Sequence, residues 1–319
     1  MSQNKNVRGA NMGNTDDLMS RLREKMYSFS KGQKRLANYI ITNYDKAVSL
    51  TAAKLGKEVA VSESTVVRFA MQLGYEGYPE FQEALEELVR TKLNSIQRIE
   101  IASSKITQSE VLTNILDSDV EKIKLTKEEI DKGAFEQAVD TILSAKTIYI
   151  IGIRSCAPLA NFLSFYLNLI FDDVRNIYTN NSSEIFEQMI RISEQDVIIG
   201  ISFPRYSMRT LKALEFASNR KAKIIAITDS KHSPMNLYAS CALIARSDMA
   251  SMVDSLVAPL SVINALIVAL SMKKKDEVIN NLETLEDIWD EYQVYNKDEV
   301  TELDENVFEK LKNIGEKNE

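Results

Sequence analysis

From about residue 120 onward, the chain alternates short apolar runs rich in β-branched residues with longer amphipathic stretches of helical length. Five such runs occur, at 147–151, 174–178, 196–202, 223–228 and 241–245. Near-continuous apolar strands separated by helices are typical of a parallel sheet that is covered on both faces. Because crossover connections are right-handed, the pattern predicts a doubly wound α/β domain with a five-stranded parallel sheet.

The segment 16–92 shows helical periodicity throughout and contains no convincing strand. Thr51 and Ser62 are the expected N-caps of two consecutive helices, and the second helix is expected to end at Leu73, just before Gly74. A short helix, a tight turn and a longer helix form the helix-turn-helix pattern. The sequence therefore predicts an all-α N-terminal bundle of this type.

The longer of these two helices has one apolar face and one polar face. The apolar face is formed by Val66, Phe69, Ala70 and Leu73. The opposite face carries Ser64, Arg68, Met71 and Gln72, with Thr65 beside it and Ser62 at its start. Arginine side chains hydrogen-bond to guanine, glutamine side chains to adenine, and serine or threonine hydroxyls to either base. DNA recognition is one interpretation of this face, and a solvated face of an ordinary three-helix bundle is the other.

Charge is distributed unevenly along the chain, whose formal net charge is −7. Residues 1–75 contain 12 Lys or Arg and 6 Asp or Glu, whereas residues 273–319 contain 7 basic and 15 acidic side chains. A basic segment joined to an acidic remainder suggests a nucleic-acid-binding module attached to a domain with another role. Chance variation on a solvated surface is the alternative.

The N-terminal segment, from about Leu18 to residue 93, resembles the helix-turn-helix domain of RpiR-type bacterial transcriptional regulators. The most specific part of the resemblance is the stretch VSESTVVRFAMQLGYEGYPEF. The resemblance implies that Ser62 to Leu73 is the recognition helix and that Lys54 and Lys57 lie near the DNA backbone. The residues that it implies at the DNA are Ser62, Ser64, Thr65, Arg68 and Gln72.

Loops that follow the strands of a parallel sheet are expected to carry its chemistry, because ligands bind beyond the carboxyl ends of the strands. The first loop, Gly152 to Cys156, opens a helix whose N-terminus favours an anion. The third loop, Ser202 to Thr210, places three hydroxyls and two guanidinium groups before the next helix. A turn at 228–230 could meet sugar hydroxyls. Ordinary helix capping is the alternative explanation for each loop.

This half of the chain, about 120–292, resembles the sugar isomerase (SIS) fold, and RpiR-type regulators join these two modules. SIS loops usually read Gly-x-Gly-x-Ser and Ser-x-Ser-Gly-x-Thr; here Arg154 and Cys156 replace the second Gly and the Ser of the first loop, and Pro204 and Arg205 replace the Ser-Gly pair of the third. The added arginines could suit a more anionic ligand or replace lost backbone amides. The expected phosphosugar contacts are Arg154, Ser155, Cys156, Ser202, Arg205, Ser207 and Thr210.

The sequence predicts a DNA-binding transcriptional regulator controlled by a phosphosugar, without cofactor or metal. Only one histidine, His232, is present, so a multi-histidine metal site is excluded, and two cysteines cannot form a disulfide framework. Cys156 at a helix N-terminus is expected to have a lowered thiol pKa, which would permit redox sensing. The alternative function is a phosphosugar isomerase with a helical appendage, for which Glu184, Glu187 and His232 are the candidate bases.

The predicted organisation has five parts: a flexible tail 1–15, the helix-turn-helix domain 16–95, a linker 96–119, the SIS domain 120–295 and an acidic extension 296–319. The start lacks a signal-peptide core, and the longest apolar run, about 256–270, is shorter than a membrane-spanning helix. We therefore expect a cytoplasmic protein without membrane contact. Its expected partners are operator DNA, a sugar-phosphate effector and further copies of itself in a homodimer or larger homo-oligomer.

Overall fold

The computed structural model describes residues 15–92, 94, 96–99, 108–179, 181–248 and 251–294. The predicted flexible tail, apart from Thr15, and the predicted acidic extension 296–319 lie outside the described residues.

The N-terminal region is entirely helical, as predicted. Its helices are α1 (Thr15–Glu24), α2 (Lys31–Thr42), α3 (Tyr44–Ala47), α4 (Ala52–Glu58), α5 (Glu63–Leu73) and α6 (Tyr78–Lys92). The hydroxyl of Thr51 accepts a hydrogen bond from the backbone N–H of Lys54, which caps α4 as expected. Gly74 ends α5 with a left-handed φ of 100°. Helix α4, the turn and α5 therefore form the predicted helix-turn-helix.

An aromatic core fixes α5 against its neighbours. Phe69 of α5 lies 5.1 Å from Phe29 and 6.0 Å from Phe81, measured between ring centroids. The predicted apolar face of α5 is buried along its whole length. The turn before α5 is equally tight, because a Cβ on Gly56 would lie 2.8 Å from the carbonyl oxygen of Val61. The polar face of α5 is consequently held outward by packing on its other side.

The chain between the two domains is partly helical. Asn94 accepts hydrogen bonds from the backbone N–H groups of Ile96 and Gln97 and so caps a short helical segment at 96–99. Helix α7 then runs over Val111–Glu129. The predicted boundary between residues 119 and 120 thus falls inside a continuous helix.

The C-terminal region contains a five-stranded parallel sheet in the order β2-β1-β3-β4-β5. The strands are β1 (Ile148–Gly152), β2 (Val174–Ile177), β3 (Val197–Ile201), β4 (Lys223–Thr228) and β5 (Cys241–Ile244). All five predicted strands are present. Strand β4 has the predicted bounds, and the ends of the other four strands differ from the prediction by no more than one residue. Strand order reverses beside β1, so the doubly wound topology is confirmed.

Helices cover both faces of this sheet. They are α8 (Lys132–Leu143), α9 (Ala157–Leu167), α10 (Ser182–Gln188), α11 (Met208–Asn219), α12 (Val257–Lys273) and α13 (Lys275–Glu291). Alternate strand residues such as Ile148 and Ile150 pack against α8, α9 and α12. The residues between them, such as Tyr149 and Ile151, pack against α10 and α11. Strands β1 and β3 are completely buried between two helical layers, and β4 is buried except at Lys223, whereas the edge strands β2 and β5 are partly exposed.

The last described helix, α13, differs from the rest. The apolar pattern after Leu270 predicts a helix that continues the domain, and α13 is present, but none of its residues is buried.

Within the described chain, no single helix meets the length and hydropathy expected of a membrane span. Helices α12 and α13 meet these criteria only as a pair, which is bent by 96°.

Candidate functional site

The exposed start of α5 is a cluster of hydroxyl groups beside an arginine. The Ser62 hydroxyl lies 3.0 Å from that of Ser64 and 2.8 Å from that of Thr65. Arg68 Nε donates to the Ser64 carbonyl at 3.1 Å. The Ser62 side chain makes no capping hydrogen bond to the helix. Four of the five predicted DNA-facing residues are thus brought together on one exposed turn, at the end of the helix where backbone N–H groups favour phosphate.

Gln72 occupies a different setting at the other end of α5. Its side-chain oxygen accepts a hydrogen bond of 2.6 Å from Nε2 of Gln33 on α2, and its backbone carbonyl accepts one from Nζ of Lys25. The side chain is half-buried rather than exposed. The structure therefore separates Gln72 from the Ser62–Arg68 cluster.

Basic side chains surround this part of the domain. Lys54 and Lys57 on α4 are exposed, as the resemblance implies. Lys31 and Lys34 on α2 are exposed as well, and α2 contacts α5 through the Gln33–Gln72 hydrogen bond. These two lysines were not among the predicted DNA-facing residues, although their clustering at the start of a helix was visible in the sequence.

The first candidate ligand loop, called here the β1 loop (153–156), is compact. A Cβ on the preceding Gly152 would lie 2.6 Å from the carbonyl oxygen of Cys156, so only glycine lets the start of the next helix approach this closely. Arg154 has a left-handed φ of 60°, a conformation that costs a non-glycine residue about 1–2 kcal/mol. The side chains of Arg154 and Ser155 are exposed. The loop thus presents a cation and a hydroxyl outward at the carboxyl edge of the sheet.

The second candidate ligand loop, called the β3 loop (202–207), leads into α11. The backbone N–H of Ser207 donates to the hydroxyl of buried Ser202 at 3.1 Å, and the Ser207 hydroxyl caps the backbone N–H of Thr210. The Thr210 hydroxyl is buried and has no hydrogen-bond partner among the described residues. Arg205 is exposed. Polar groups from one short segment therefore converge on the first turn of α11.

The β1 and β3 loops meet in the apolar core, where Cys156 and Phe203 are both buried in the same cluster. Burial raises the pKa of the Cys156 thiol to about 11, against smaller lowering effects of hydrogen bonding to the Phe203 backbone and the Ser155 side chain. The expectation of a lowered thiol pKa is wrong, because desolvation outweighs the helix N-terminus. Because this thiol is protonated at neutral pH, the argument for redox sensing by a Cys156 thiolate no longer holds.

A third loop, the β4 loop (229–233), supports the β3 loop. The Thr228 hydroxyl donates to the Ser202 carbonyl at 2.9 Å and lies 2.8 Å from the Ser233 hydroxyl. The Tyr206 hydroxyl donates to the carboxylate of buried Asp229 at 2.9 Å. The sequence pointed to the turn at 228–230 but not to Tyr206 or Ser233 as its partners.

The candidate isomerase bases differ in position: His232 lies in the β4 loop, whereas Glu184 and Glu187 lie on α10. Glu184 accepts hydrogen bonds from the hydroxyl of Thr179 and the side-chain amide of Asn181, and it therefore stabilises the start of α10. Glu187 and His232 are exposed. In the part of the chain that the structure describes, no group of three or more His, Cys, Asp or Glu side chains is arranged to hold a metal ion. Hydroxyls, backbone amides and guanidinium groups are the chemistry that the loops offer, and these bind anions.

Two family models match the chain, one in each domain. Residues 17–92 match the model described as a helix-turn-helix domain of the rpiR family. Residues 141–269 match the SIS domain model. The first match runs from α1 to the end of α6, and the second begins within α8 and ends within α12.

Curated relatives are similar over most of the chain. An HTH-type transcriptional regulator of Haemophilus influenzae with no characterised function is 26% identical over 73% of this chain and 81% of its own length. The HTH-type transcriptional regulator HexR of Escherichia coli K12 is 24% identical over 85% of this chain and 93% of its own length.

Solved structures support the same fold. The NanR protein of Vibrio vulnificus, solved with ManNAc-6P, matches with a TM-score of 0.52 and 22% identity over 85% of this chain and 98% of that chain. The sugar isomerase domain of an RpiR transcription factor from Sphaerobacter thermophilus matches with a TM-score of 0.53 and 24% identity, over 56% of this chain and 98% of that chain. Both halves of the molecule therefore have structural counterparts.

Proposed function

Because this chain belongs to the RpiR family of transcriptional regulators, which join a helix-turn-helix domain to a SIS domain, we propose that a phosphosugar controls its affinity for operator DNA. The phosphosugar binds between the β1 and β3 loops, and the exposed start of α5 contacts the DNA. The protein acts in the bacterial cytoplasm, where its operator and its ligand are both present.

The observation that carries the ligand site is that the β1 and β3 loops lie at the carboxyl edge of neighbouring strands and share one apolar cluster. Cys156 and Phe203 are both buried in that cluster. Arg154 and Arg205 are exposed beside them, and guanidinium groups match phosphate oxygens in pairs. A phosphate bound here would meet the positive ends of two helices. Ser155, Ser207 and Thr210 supply the remaining hydroxyl donors.

The class of ligand is supported by a structural neighbour. NanR of Vibrio vulnificus was solved with ManNAc-6P, an amino-sugar phosphate. We carry over only the class, a sugar phosphate, because the loops of this chain have their own pattern of arginines. Tyr206 of the β3 loop and Asp229 of the β4 loop, which are hydrogen-bonded to each other, are the candidates for contact with sugar hydroxyls.

The DNA interface is supported by the Ser62–Arg68 cluster and by the exposed lysines of α4. Ser64, Thr65 and Arg68 are positioned to meet base edges when the start of α5 enters the major groove. Lys54 and Lys57 are assigned to phosphate contacts, which give affinity but no sequence preference. We keep Gln72 as a weaker candidate, because reading a base with its side-chain oxygen would break the bond to Gln33.

The active form that we propose is a homodimer or larger homo-oligomer joined through the α/β domain. Large apolar side chains on the outer surfaces of α9 and α12 are exposed in the single chain, namely Phe165 (64%), Val268 (55%) and Met272 (74%). Exposed apolar patches of this kind commonly mark protein interfaces. A dimer would recognise a pseudo-palindromic operator with half-sites about 34–36 Å apart or a multiple of that distance.

A phosphosugar isomerase is the alternative function, because the SIS fold also accommodates a ring-opened sugar phosphate. It would require a general base close to the bound sugar. Glu187 and His232 are exposed candidates, whereas Glu184 is already hydrogen-bonded. An assay of aldose–ketose interconversion with pentose and hexose phosphates distinguishes the two functions directly.

Two measurements on the full chain test the proposed function. A thermal-shift screen with a panel of sugar phosphates identifies the ligand by the rise in unfolding temperature. Fluorescence anisotropy with a labelled upstream DNA fragment then measures the dissociation constant with and without that ligand. We expect the ligand to change DNA affinity by a coupling free energy of about 1–3 kcal/mol. Turnover of the sugar phosphate without an effect on DNA binding would favour the isomerase.

A further inference from the structure

The chain that joins the two domains is fastened to the loop that follows β5, called here the β5 loop (245–256, of which 249–250 lie outside the described residues). Because all five strands are parallel, this loop leaves the same edge of the sheet as the β1 and β3 loops. Because the β5 loop lies between the ligand loops and the domain linker, it is a candidate for transmitting the effect of ligand binding to the helix-turn-helix domain.

Helix α7 holds the β5 loop at both of its ends. The backbone N–H of Arg246 donates to the Thr126 hydroxyl at 2.9 Å, and the Arg246 guanidinium binds both carboxylate oxygens of Glu129. At the other end, the Ser255 hydroxyl donates to the Asp119 carboxylate at 2.6 Å. The loop therefore cannot move independently of α7.

A buried ion pair adds a second attachment, nearer to the DNA-binding domain. Arg98 Nη1 lies 2.7 Å from the carboxylate of Asp254, and the two side chains are only 6% and 19% exposed. Arg98 belongs to the helical segment capped by Asn94, which follows the end of α6 at Lys92. The ion pair thus ties the β5 loop to the point where the helix-turn-helix domain ends.

The β5 loop is connected to the ligand loops through Thr228 and the apolar core. The backbone N–H of Ala245 donates to the Thr228 carbonyl at 2.8 Å, and the Thr228 hydroxyl donates to the Ser202 carbonyl of the β3 loop. Leu256 packs against the apolar cluster that contains Cys156 and Phe203.

We infer that Arg98 and Asp254 are positioning residues that couple occupancy of the β1 and β3 loops to the helix-turn-helix domain, an inference that rests on the proposed function. A buried, hydrogen-bonded charge pair resists separation, because each charge would be left without its partner in a poorly solvated site. Movement of the β5 loop on ligand binding is therefore passed to the linker rather than absorbed between the two side chains.

Hydrogen–deuterium exchange of the full chain tests this coupling with saturating inorganic phosphate as the probe and chloride at equal ionic strength as the reference. The wild-type protein is compared with Asp254→Asn, with the charge swap Arg98→Asp plus Asp254→Arg, and with the control Arg175→Gln. Arg175 forms an ion pair with Asp173 beside β2, away from the β5 loop. Peptides from the β1 and β3 loops report ligand binding, and peptides from 96–99 and 111–129 report coupling.

In the wild type, phosphate should slow exchange in the β1 and β3 loops and change exchange in 96–99 and 111–129. Asp254→Asn should keep the loop protection with the same half-saturating phosphate concentration, but its linker response should fall at least about fivefold. The charge swap should restore most of that response, and Arg175→Gln should not alter it.

Loop protection in the wild type without any linker response would overturn the coupling while leaving the ligand site intact. A normal linker response in Asp254→Asn, or an equal loss in Arg175→Gln, would also overturn it. Absence of loop protection in the wild type would instead contradict the proposed phosphate site, and with it the coupling.

Discussion

Ser202 accepts a hydrogen bond from the backbone N–H of Ser207 at 3.1 Å, so the β3 loop closes onto its own first residue. The Ser202 carbonyl is bound by the Thr228 hydroxyl, which fixes the same residue from the neighbouring strand. The loop geometry is therefore established by buried contacts within the protein. We expect Ser202 to shape the phosphate site and the exposed residues of the loop to supply the contacts.

The Thr228 hydroxyl should contribute measurably to stability. Thr228→Val removes its bonds to Ser202 and Ser233 and leaves buried polar groups without a partner, which should lower the free energy of unfolding by about 1–3 kcal/mol. Urea denaturation measures the change. Thr284→Val is the matched control, because that hydroxyl binds only the carbonyl of Asn280 on exposed α13, and it should shift stability by less than about 0.5 kcal/mol. Equal effects in the two variants would contradict the buried network.

Gly152→Ala should disturb the start of α9. The added Cβ would lie 2.6 Å from the Cys156 carbonyl oxygen, which is backbone and cannot rotate away. We expect a loss of about 1–3 kcal/mol in the free energy of unfolding and weaker sugar-phosphate binding. Gly77→Ala is the control, since its Cβ would meet only Pro79 at an ordinary 3.6 Å. Thermal denaturation of both variants decides whether the close approach is required.

Arg68→Ala should weaken binding to the operator by about 1–3 kcal/mol and relax sequence preference at one base pair, because we propose that its guanidinium reads a base edge. Lys57→Ala should weaken binding to all sequences alike and reduce the salt dependence, as expected of a phosphate contact. Anisotropy titrations with operator and scrambled DNA separate the two effects. An unchanged operator affinity in folded Arg68→Ala would remove this residue from base recognition.

Ionisation of the two cysteine thiols should lower the free energy of unfolding at alkaline pH. Burial raises the pKa of Cys156 and of Cys241 from 9.0 to about 11, so the folded state holds these protons more tightly than the unfolded state. Their contribution is complete below about pH 9 and is lost as the pH rises toward about pH 11. At about pH 10 the loss should be roughly 1 kcal/mol for Cys156 and smaller for Cys241, whose burial is less complete.

Urea titrations of the wild type and of the variant with Cys156→Ala and Cys241→Ala at about pH 8 and pH 10 measure this loss. The variant should be less sensitive to pH than the wild type. Identical pH dependence would show that the thiols ionise equally in both states.

The sequence was most informative where a repeated pattern determines structure. The alternation of apolar runs predicted five parallel strands, and Val66, Phe69, Ala70 and Leu73 predicted which face of α5 is buried. Both are confirmed, because hydrophobic periodicity is local and tertiary packing reinforces it. The position of the candidate loops followed from topology alone, since the carboxyl ends of parallel strands share one edge.

Contacts between distant segments could not be predicted in the same way. The bond from Gln33 to Gln72 and the one from Thr228 to Ser202 join residues on different elements, and no spacing in the chain encodes them. The same holds for Arg98 and Asp254, which are 156 residues apart. Helix α7 extends across the expected linker boundary, and its contacts to the β5 loop become visible only in the fold.

Isothermal titration of the sugar phosphate selected by the thermal-shift screen tests the central claim most directly. It is performed on the wild type, on the double variant Arg205→Ala with Ser207→Ala, and on the control Arg209→Ala, which removes a neighbouring exposed arginine from α11. Charge-assisted hydrogen bonds are individually worth about 1.5–3 kcal/mol, so the double variant should lose detectable binding. Arg209→Ala should bind normally, and DNA affinity without ligand should be unchanged in all three proteins. Retained sugar-phosphate affinity in the double variant would place the ligand site elsewhere in the molecule.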